Sequence, residues 1–170
     1  MIGRRRADRP PMASDSDKCL SRSMARRVLS SLKGILREAQ RQGQLAHALV
    51  GEAGIDLVYG HSCHHPKGAE VYRDKLILYG CGDFINDYEG IRGHEEFRGD
   101  LVLAYLATCS IPGGELRSLT LLPFKIEKFR LNSASAQDAA WLRGVLDRES
   151  AKLGTRLAAT GGRSPKLLWR

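Results

Sequence analysis

Residues 55–89 read IDLVYGHSCHHPKGAEVYRDKLILYGCGDFINDYE, and the fold turns on how this stretch is parsed. Ile55, Leu57 and Val58 make a short apolar run that stops at Gly60, the pattern of a strand buried on both faces. The polar cluster His61-Ser62-Cys63-His64-His65 comes at once after it, which puts three histidines at the carboxyl end of a strand. In an open α/β sheet, ligands bind at that end. Pro66-Lys67-Gly68 predicts a turn, residues 69–72 a short strand, Arg73-Asp74 a second turn and residues 75–79 another strand. Turn signal and alternation together predict a hairpin. Gly80 and Gly82 then let the backbone pass close to another segment. Asp83, Asn86, Asp87 and Glu89 lie in a loop too polar for a core.

On the amino-terminal side, Val28, Leu29, Leu32, Ile35 and Leu36 recur at three- and four-residue spacing. They predict a helix over 21–42, capped by Ser21 and ended by Gly43. Residues 44–53 predict a second short helix with Leu45, Ala48 and Leu49 on one face, stopped by Gly54. Residues 1–20, with Arg runs and Pro10-Pro11, read as a disordered tail. On the carboxyl side, residues 100–109 predict a strand, Gly113-Gly114 a turn and residues 116–126 a second strand. The pair forms an antiparallel hairpin in which Pro123 suggests an edge or a bulge. Ser135 caps a predicted helix over 136–152, with Ala140, Trp141, Val145 and Leu146 as its apolar face and Gly154 at its end. Two strand-like runs, 155–158 and 166–169, flank a Gly161-Gly162 turn. Helices and strands in this order make the fold class α/β.

A length of 170 residues suits one core-forming domain. The net charge is +8, but residues 1–43 alone carry eleven Lys/Arg against four acids. The remainder is close to neutral, so the basic balance is a property of the amino-terminal segment and says little about the folded part, for which nucleic acid is not an expected partner. No apolar run reaches the roughly 20 residues that span a bilayer, and no signal-peptide pattern is visible, so the expected location is cytoplasmic. Cys19, Cys63, Cys81 and Cys109 form no CxxC pair and read as reduced thiols.

Gly60-His61-x-x-His64 is the first candidate site. Neutral imidazole is the commonest protein ligand of borderline divalent metals. Two histidines three apart in a post-strand loop can share one metal, or one can hold metal and the other substrate; loop histidines bonded to backbone fit the spacing as well. Gly80-Cys81-Gly82-Asp83-Phe84 is the second. It brings Asp83 beside the histidines as ligand, orienter or general acid/base, or else forms a tight turn with Asp83 capping amides. Asn86, Asp87 and Glu89 read as a solvated loop, and His94-Glu95-Glu96 carries less still. His47 reads as structural. No Ser-His-Asp order, P-loop or GxGxxG is present.

Read together, residues 56–65, Glu70-Val71-Tyr72 and residues 76–84 resemble the CapA family of capsule or poly-γ-glutamate biosynthesis proteins, which are related to calcineurin-like metallophosphoesterases. Phe97–Leu101 and Phe129–Asn132 are similar to one subgroup, so the resemblance covers about 41–169. It implies part of a layered αββα sandwich of metallophosphoesterase type. It also implies a pocket in which His61 and His64 hold a divalent metal, with His64 and Asp83 as the catalytic pair. Asp83 stands where many members carry Asn, which makes the pocket acidic. The family's amino-terminal motifs, a Gly-Asp strand end, an Asn-His loop and a His-Trp-Gly segment, are not found here. The expected organisation is therefore a tail over 1–20, a helical segment outside the match over 21–43, and the carboxyl-terminal half of a CapA-like domain over 44–170. Expected partners are a small-molecule or polymer substrate and either the missing half or a second copy of the chain. The alternative is a non-catalytic remnant or a subunit whose site another chain completes. On this reading the chain alone is inactive and self-associates.

Overall fold

The computed structural model describes residues 38–61, 64–85, 97–159 and 161–169. The chain divides into two compact units, Met1–Gln42 and Gly43–Arg170, and every strand belongs to the second. The tail over 1–20 and residues 21–37 of the helix predicted over 21–42 lie outside the described residues.

Residues 38–51 are helical (α1), so Gly43 does not end a helix. A mid-helix glycine costs about 1 kcal/mol relative to alanine, too little to stop a helix that gains tertiary contacts. Those contacts come from Ala46 and Val50, four residues apart, which are buried against Ile77. Leu45, expected on the buried face, is 62% exposed.

Three short strands come next: β1 (Leu57–Tyr59), β2 (Ala69–Tyr72) and β3 (Lys75–Leu78). They form one sheet in the order β1-β3-β2, with β1 parallel and β2 antiparallel to β3. The predicted β2–β3 hairpin is present. Its turn residues Arg73 and Asp74 both have positive φ, the backbone twist that matches two strands joined by two residues. β1 departs from expectation. It lies at the sheet's edge, and Leu57 and Tyr59 are exposed rather than buried on both faces. An apolar run becomes a doubly buried strand only when layers cover both its faces.

The second sheet holds β4 (Leu101–Cys109), β5 (Leu116–Glu127), β7 (Thr155–Ala158) and β8 (Lys166–Trp169) in the order β4-β5-β8-β7. β6 (Arg130–Ser133) pairs with the far end of β5. Pro123 is neither on an edge strand nor at a bulge; the register shift lies at Thr108/Cys109. β5 contacts β8 near Thr120 and β6 from Phe124 onward. The Leu121 N–H donates to Pro165, so position 123 points its missing donor into the gap between those two partners. Its carbonyl still accepts from the Ala134 N–H.

Ser135 caps α2 (Ala136–Ala151): its side chain accepts from the Asp138 N–H and donates to the Asp138 carboxylate at 2.7 Å. The buried face is Ala139, Leu142, Leu146 and Ser150, one position away from the expected Ala140 and Val145. Ser150 explains the shift. Its hydroxyl accepts the Ala69 N–H at 3.1 Å, while Thr155 donates to the Ala69 carbonyl at 2.6 Å. A hydropathy pattern does not place a serine inside, yet here it closes a backbone account that burial would otherwise leave open.

The main core joins Leu76 and Leu78 of the small sheet to Leu103, Leu119, Leu121, Leu157 and Leu167 of the large one and to Leu142 and Leu146 of α2. The chain is thus a mixed α/β protein, with two helices and two sheets among the described residues. No helix there is long and apolar enough to cross a membrane, which says nothing of a β-barrel.

Candidate functional site

The histidine loop and the Asp83 loop leave the carboxyl ends of the parallel neighbours β1 and β3. Their exits are interlocked by backbone bonds: Gly60 N–H to Leu78, Cys81 N–H to Gly60, Lys67 N–H to Gly80. Gly60 is required for this contact. A Cβ there would lie 2.5 Å from the Tyr79 carbonyl oxygen, closer than real Cβ atoms approach. Gly82 has φ +67, a left-handed conformation favouring glycine, and packs against the His65–Pro66 backbone.

The two loops meet at His64 and Asp83. His64 Nδ1 and Asp83 Oδ2 are 2.7 Å apart, with the imidazole 57% exposed and the carboxylate 16%. An ionised carboxylate only accepts, so Nδ1 carries the proton, and proton or metal chemistry of the ring runs through Nε2. His61 leaves β1 one residue after Gly60 and is exposed. Among the described residues no group of three or more His, Cys, Asp or Glu side chains is placed to hold a metal ion. His61 and His64 therefore do not make a complete metal centre by themselves, since such centres take at least three protein ligands. Ser62, Cys63, Asn86, Asp87, Glu89, His94, Glu95 and Glu96 lie outside the described residues.

Several supporting residues were given no role by the sequence, although Phe97–Leu101 was marked as part of the resemblance. Phe97 stacks on His65 with ring centroids 4.5 Å apart. Partial burial, with the Lys67 and His64 charges, pushes the His65 imidazole below its ordinary pKa, so the ring stacks in its neutral form. Next to Phe97, Arg98 grips Asp100 through two bonds and reaches Asp138 at the start of α2. The Tyr105 hydroxyl donates to the Cys81 carbonyl at 3.3 Å and ties the Asp83 loop to the large sheet.

Beneath the loops, on the α1 side of the small sheet, Glu70 is engaged at both oxygens. His47 Nε2 lies 2.8 Å from one, and the Tyr79 hydroxyl donates to the other at 2.6 Å. Burial, and then the bond to Glu70, push the Tyr79 phenol well above its ordinary pKa. His47 also stacks on Tyr72 at 3.9 Å, so its structural reading gains specific partners. The available signal was Glu70 itself, a carboxylate in a strand at a position facing a helix, which requires a buried donor.

This arrangement, paired polar loops at the carboxyl ends of parallel strands, coincides with a recognised family segment. Residues 35–88 match the family described as bacterial capsule synthesis protein PGA_cap. Over that stretch the chain is similar to that capsule synthesis family. The chain is also 51% identical over 112 residues to a "Probable polyglutamine synthesis accessory protein" of Mycobacterium tuberculosis, in strains CDC 1551 and H37Rv alike. The alignment takes in 66% of this chain and 29% of each relative, so the chain spans less than a third of the curated relatives it matches.

Proposed function

We propose that this chain acts in the assembly of a capsular or poly-γ-glutamyl polymer, through an acid–base site built on His64 and Asp83. The observation that carries this is the 2.7 Å bond between His64 Nδ1 and Asp83, formed inside the family-matched stretch at the ligand-binding end of β1 and β3. Asp83 orients the ring and offsets the charge it gains on taking a proton; His64 Nε2 exchanges that proton with the reacting group. His65, held neutral against Phe97, forms an apolar wall beside the pair. The reaction class is transfer or hydrolysis at a phosphoester or amide, in a partial sandwich of metallophosphoesterase type. A divalent metal would polarise that group. His61 and His64 would be this chain's contribution to holding it, with the remaining ligands drawn from outside the described residues.

The test is polymer production in a strain lacking the gene, complemented by wild type, His64→Ala or Asp83→Asn. Wild type restores polymer, and each variant restores at most a hundredth of it, the lower end of what loss of a positioned acid–base group costs at roughly 10²-fold. Equal restoration by all three overturns the proposal. Metal content of the purified chain, measured alongside, should fall in His61→Ala and His64→Ala if these side chains contribute to a centre.

A further inference from the structure

β4 turns one face to the main core. Leu101 and Leu103 on that face are buried, and Tyr105 comes next, beside its register partner Leu121, which is buried as well. Alternation along the strand asks only for another apolar side chain at this position. A leucine or a phenylalanine would pack there with no hydroxyl to satisfy. A half-buried tyrosine brings an O–H that needs a partner. That O–H crosses from the large sheet to the loop leaving β3 and donates to the Cys81 carbonyl at 3.3 Å.

Cys81 is gripped from a second direction. Its N–H donates to the Gly60 carbonyl at 3.0 Å, at the end of β1, and it forms a bridge with Pro66 at the close of the histidine loop. Gly82 lies against the His65–Pro66 backbone, where a Cβ would sit 3.1 Å from its neighbours. One residue later, Asp83 presents the carboxylate that meets His64 Nδ1 at 2.7 Å. One residue beyond that, the Phe84 ring stands edge-on to Phe124 of β5, with centroids 5.9 Å apart at 82°. β4 and β5 are joined in one ladder. The same pair of strands therefore holds the loop before and after Asp83.

We infer that Tyr105 is a positioning residue for the His64–Asp83 pair. Its hydroxyl, through the Cys81 carbonyl, fixes where the loop presents the Asp83 carboxylate, and the Phe84–Phe124 contact steadies the loop on the other side. The pair's bond joins two loops, so its length and angle follow the placement of both backbones, and a hydrogen bond weakens steeply as either departs from its optimum. The histidine loop takes its placement from β1 and its backbone bonds to the β3 exit. The aspartate takes part of its placement from β4, a strand of the other sheet, and Tyr105 is that link. As a contribution to catalysis this role rests on the acid–base reading of the pair given above, yet it can be measured on the His64 ring itself.

Nitrogen NMR of the full chain tests it, by the tautomer of the neutral His64 ring in the wild type, Tyr105→Phe and Asp147→Asn. Tyr105→Phe keeps the aromatic ring and deletes the hydroxyl. Asp147→Asn is the control for general destabilisation, since the partners of Asp147 are Arg156 and Leu157 of β7 and lie in neither loop. Tyr105→Phe keeps a native circular dichroism spectrum and lowers the ratio of Nδ1–H to Nε2–H by about threefold or more, the factor that one net hydrogen bond commands. Asp147→Asn leaves the ratio at its wild-type value. An unchanged ratio in folded Tyr105→Phe overturns the inference. An equal fall in Asp147→Asn overturns it as well, because the ring would then follow overall stability rather than the Cys81 contact. A wild-type ring with no Nδ1–H preference overturns it too, for there is then no pair to position. If Tyr105→Phe does not fold, Phe124→Leu, which removes the edge contact on Phe84, decides by the same ratio. Polymer restoration separates this role from the acid–base reading. Full restoration by Asp83→Asn removes that reading, while a lowered ratio in Tyr105→Phe still upholds the positioning. Lost restoration by Asp83→Asn with an unmoved ratio in Tyr105→Phe dismisses Tyr105 alone.

Discussion

At the scale of single residues, contact across the sheet decides what each side chain does. His64 and Asp83 are nineteen positions apart and meet only because β1 and β3 run parallel as neighbours. The sequence marked both residues and offered Asp83 beside the histidines as one of two readings; choosing between them needed a topology that spacing does not encode. If the carboxylate fixes the ring, nitrogen NMR should show His64 protonated at Nδ1 in the neutral form, and Asp83→Asn should erase that preference. An unchanged tautomer in the variant would remove the orienting role. Gly60 makes a sharper demand. Its Cβ would enter the Tyr79 carbonyl, and the obstacle is backbone that cannot rotate away. Gly60→Ala should cost about 1–3 kcal/mol in denaturant titration, the range for overpacking a tight site. A loss under a few tenths of a kcal/mol would mean that the exits of β1 and β3 give way easily. The glycine was legible as a strand stop, whereas the reason for it, a neighbouring carbonyl, was not.

At the scale of elements, local chemistry was readable and partner choice was not. Ser135 could be placed in advance because an N-cap is decided within three residues, and its bond to the Asp138 N–H is present. Ser135→Ala should lower stability by about 1 kcal/mol. Arg98 also holds Asp138, so that loss should shrink when tested in an Arg98→Ala background, as a double-mutant cycle would register. The buried face of α2 was misjudged because Ser150 and Thr155 serve the backbone of β2, a contact 81 positions from Ser150 in one case and 86 from Thr155 in the other. Thr155→Val keeps the shape and removes the donor. It should cost about 1–3 kcal/mol by leaving the buried Ala69 carbonyl without that bond. The β5–β6 turn was not predicted at all, and it carries a local cost. Lys128 and Phe129 both have positive φ, which ordinary side chains resist. Lys128→Asn relieves this and should raise the melting temperature, because asparagine tolerates the left-handed region.

At the scale of the whole molecule, the fold unites two sheets whose packing depends on residues far apart in the chain, and its carboxylates link that packing to pH. Asp147 receives both nitrogens of the Arg156 fork and the Leu157 N–H, and these bonds, the Arg156 ones first, hold its carboxyl below the usual range. Asp138 is lowered chiefly by Ser135 and then Arg98, and Glu149 chiefly by Lys152. Each group has a folded pKa below its unfolded value. Each contribution is therefore fully present above the unfolded value, at about 3.9 for Asp and about 4.3 for Glu, and is lost as pH falls through the folded one. Asp138 sits in the first turn of α2 and Asp147 and Glu149 in its last two, so acid should loosen this helix at both ends. Stability measured by denaturant should ease slightly below about pH 6.5, where the unfolded His65 imidazole takes a proton that the folded one resists, and fall steeply below about pH 5. Asp147→Asn should be less stable at neutral pH and show a shallower fall, because asparagine has no charge to lose. A variant curve parallel to the wild type down to about pH 2 would show that the Arg156 pair is too solvated to matter, as exposed ion pairs often are.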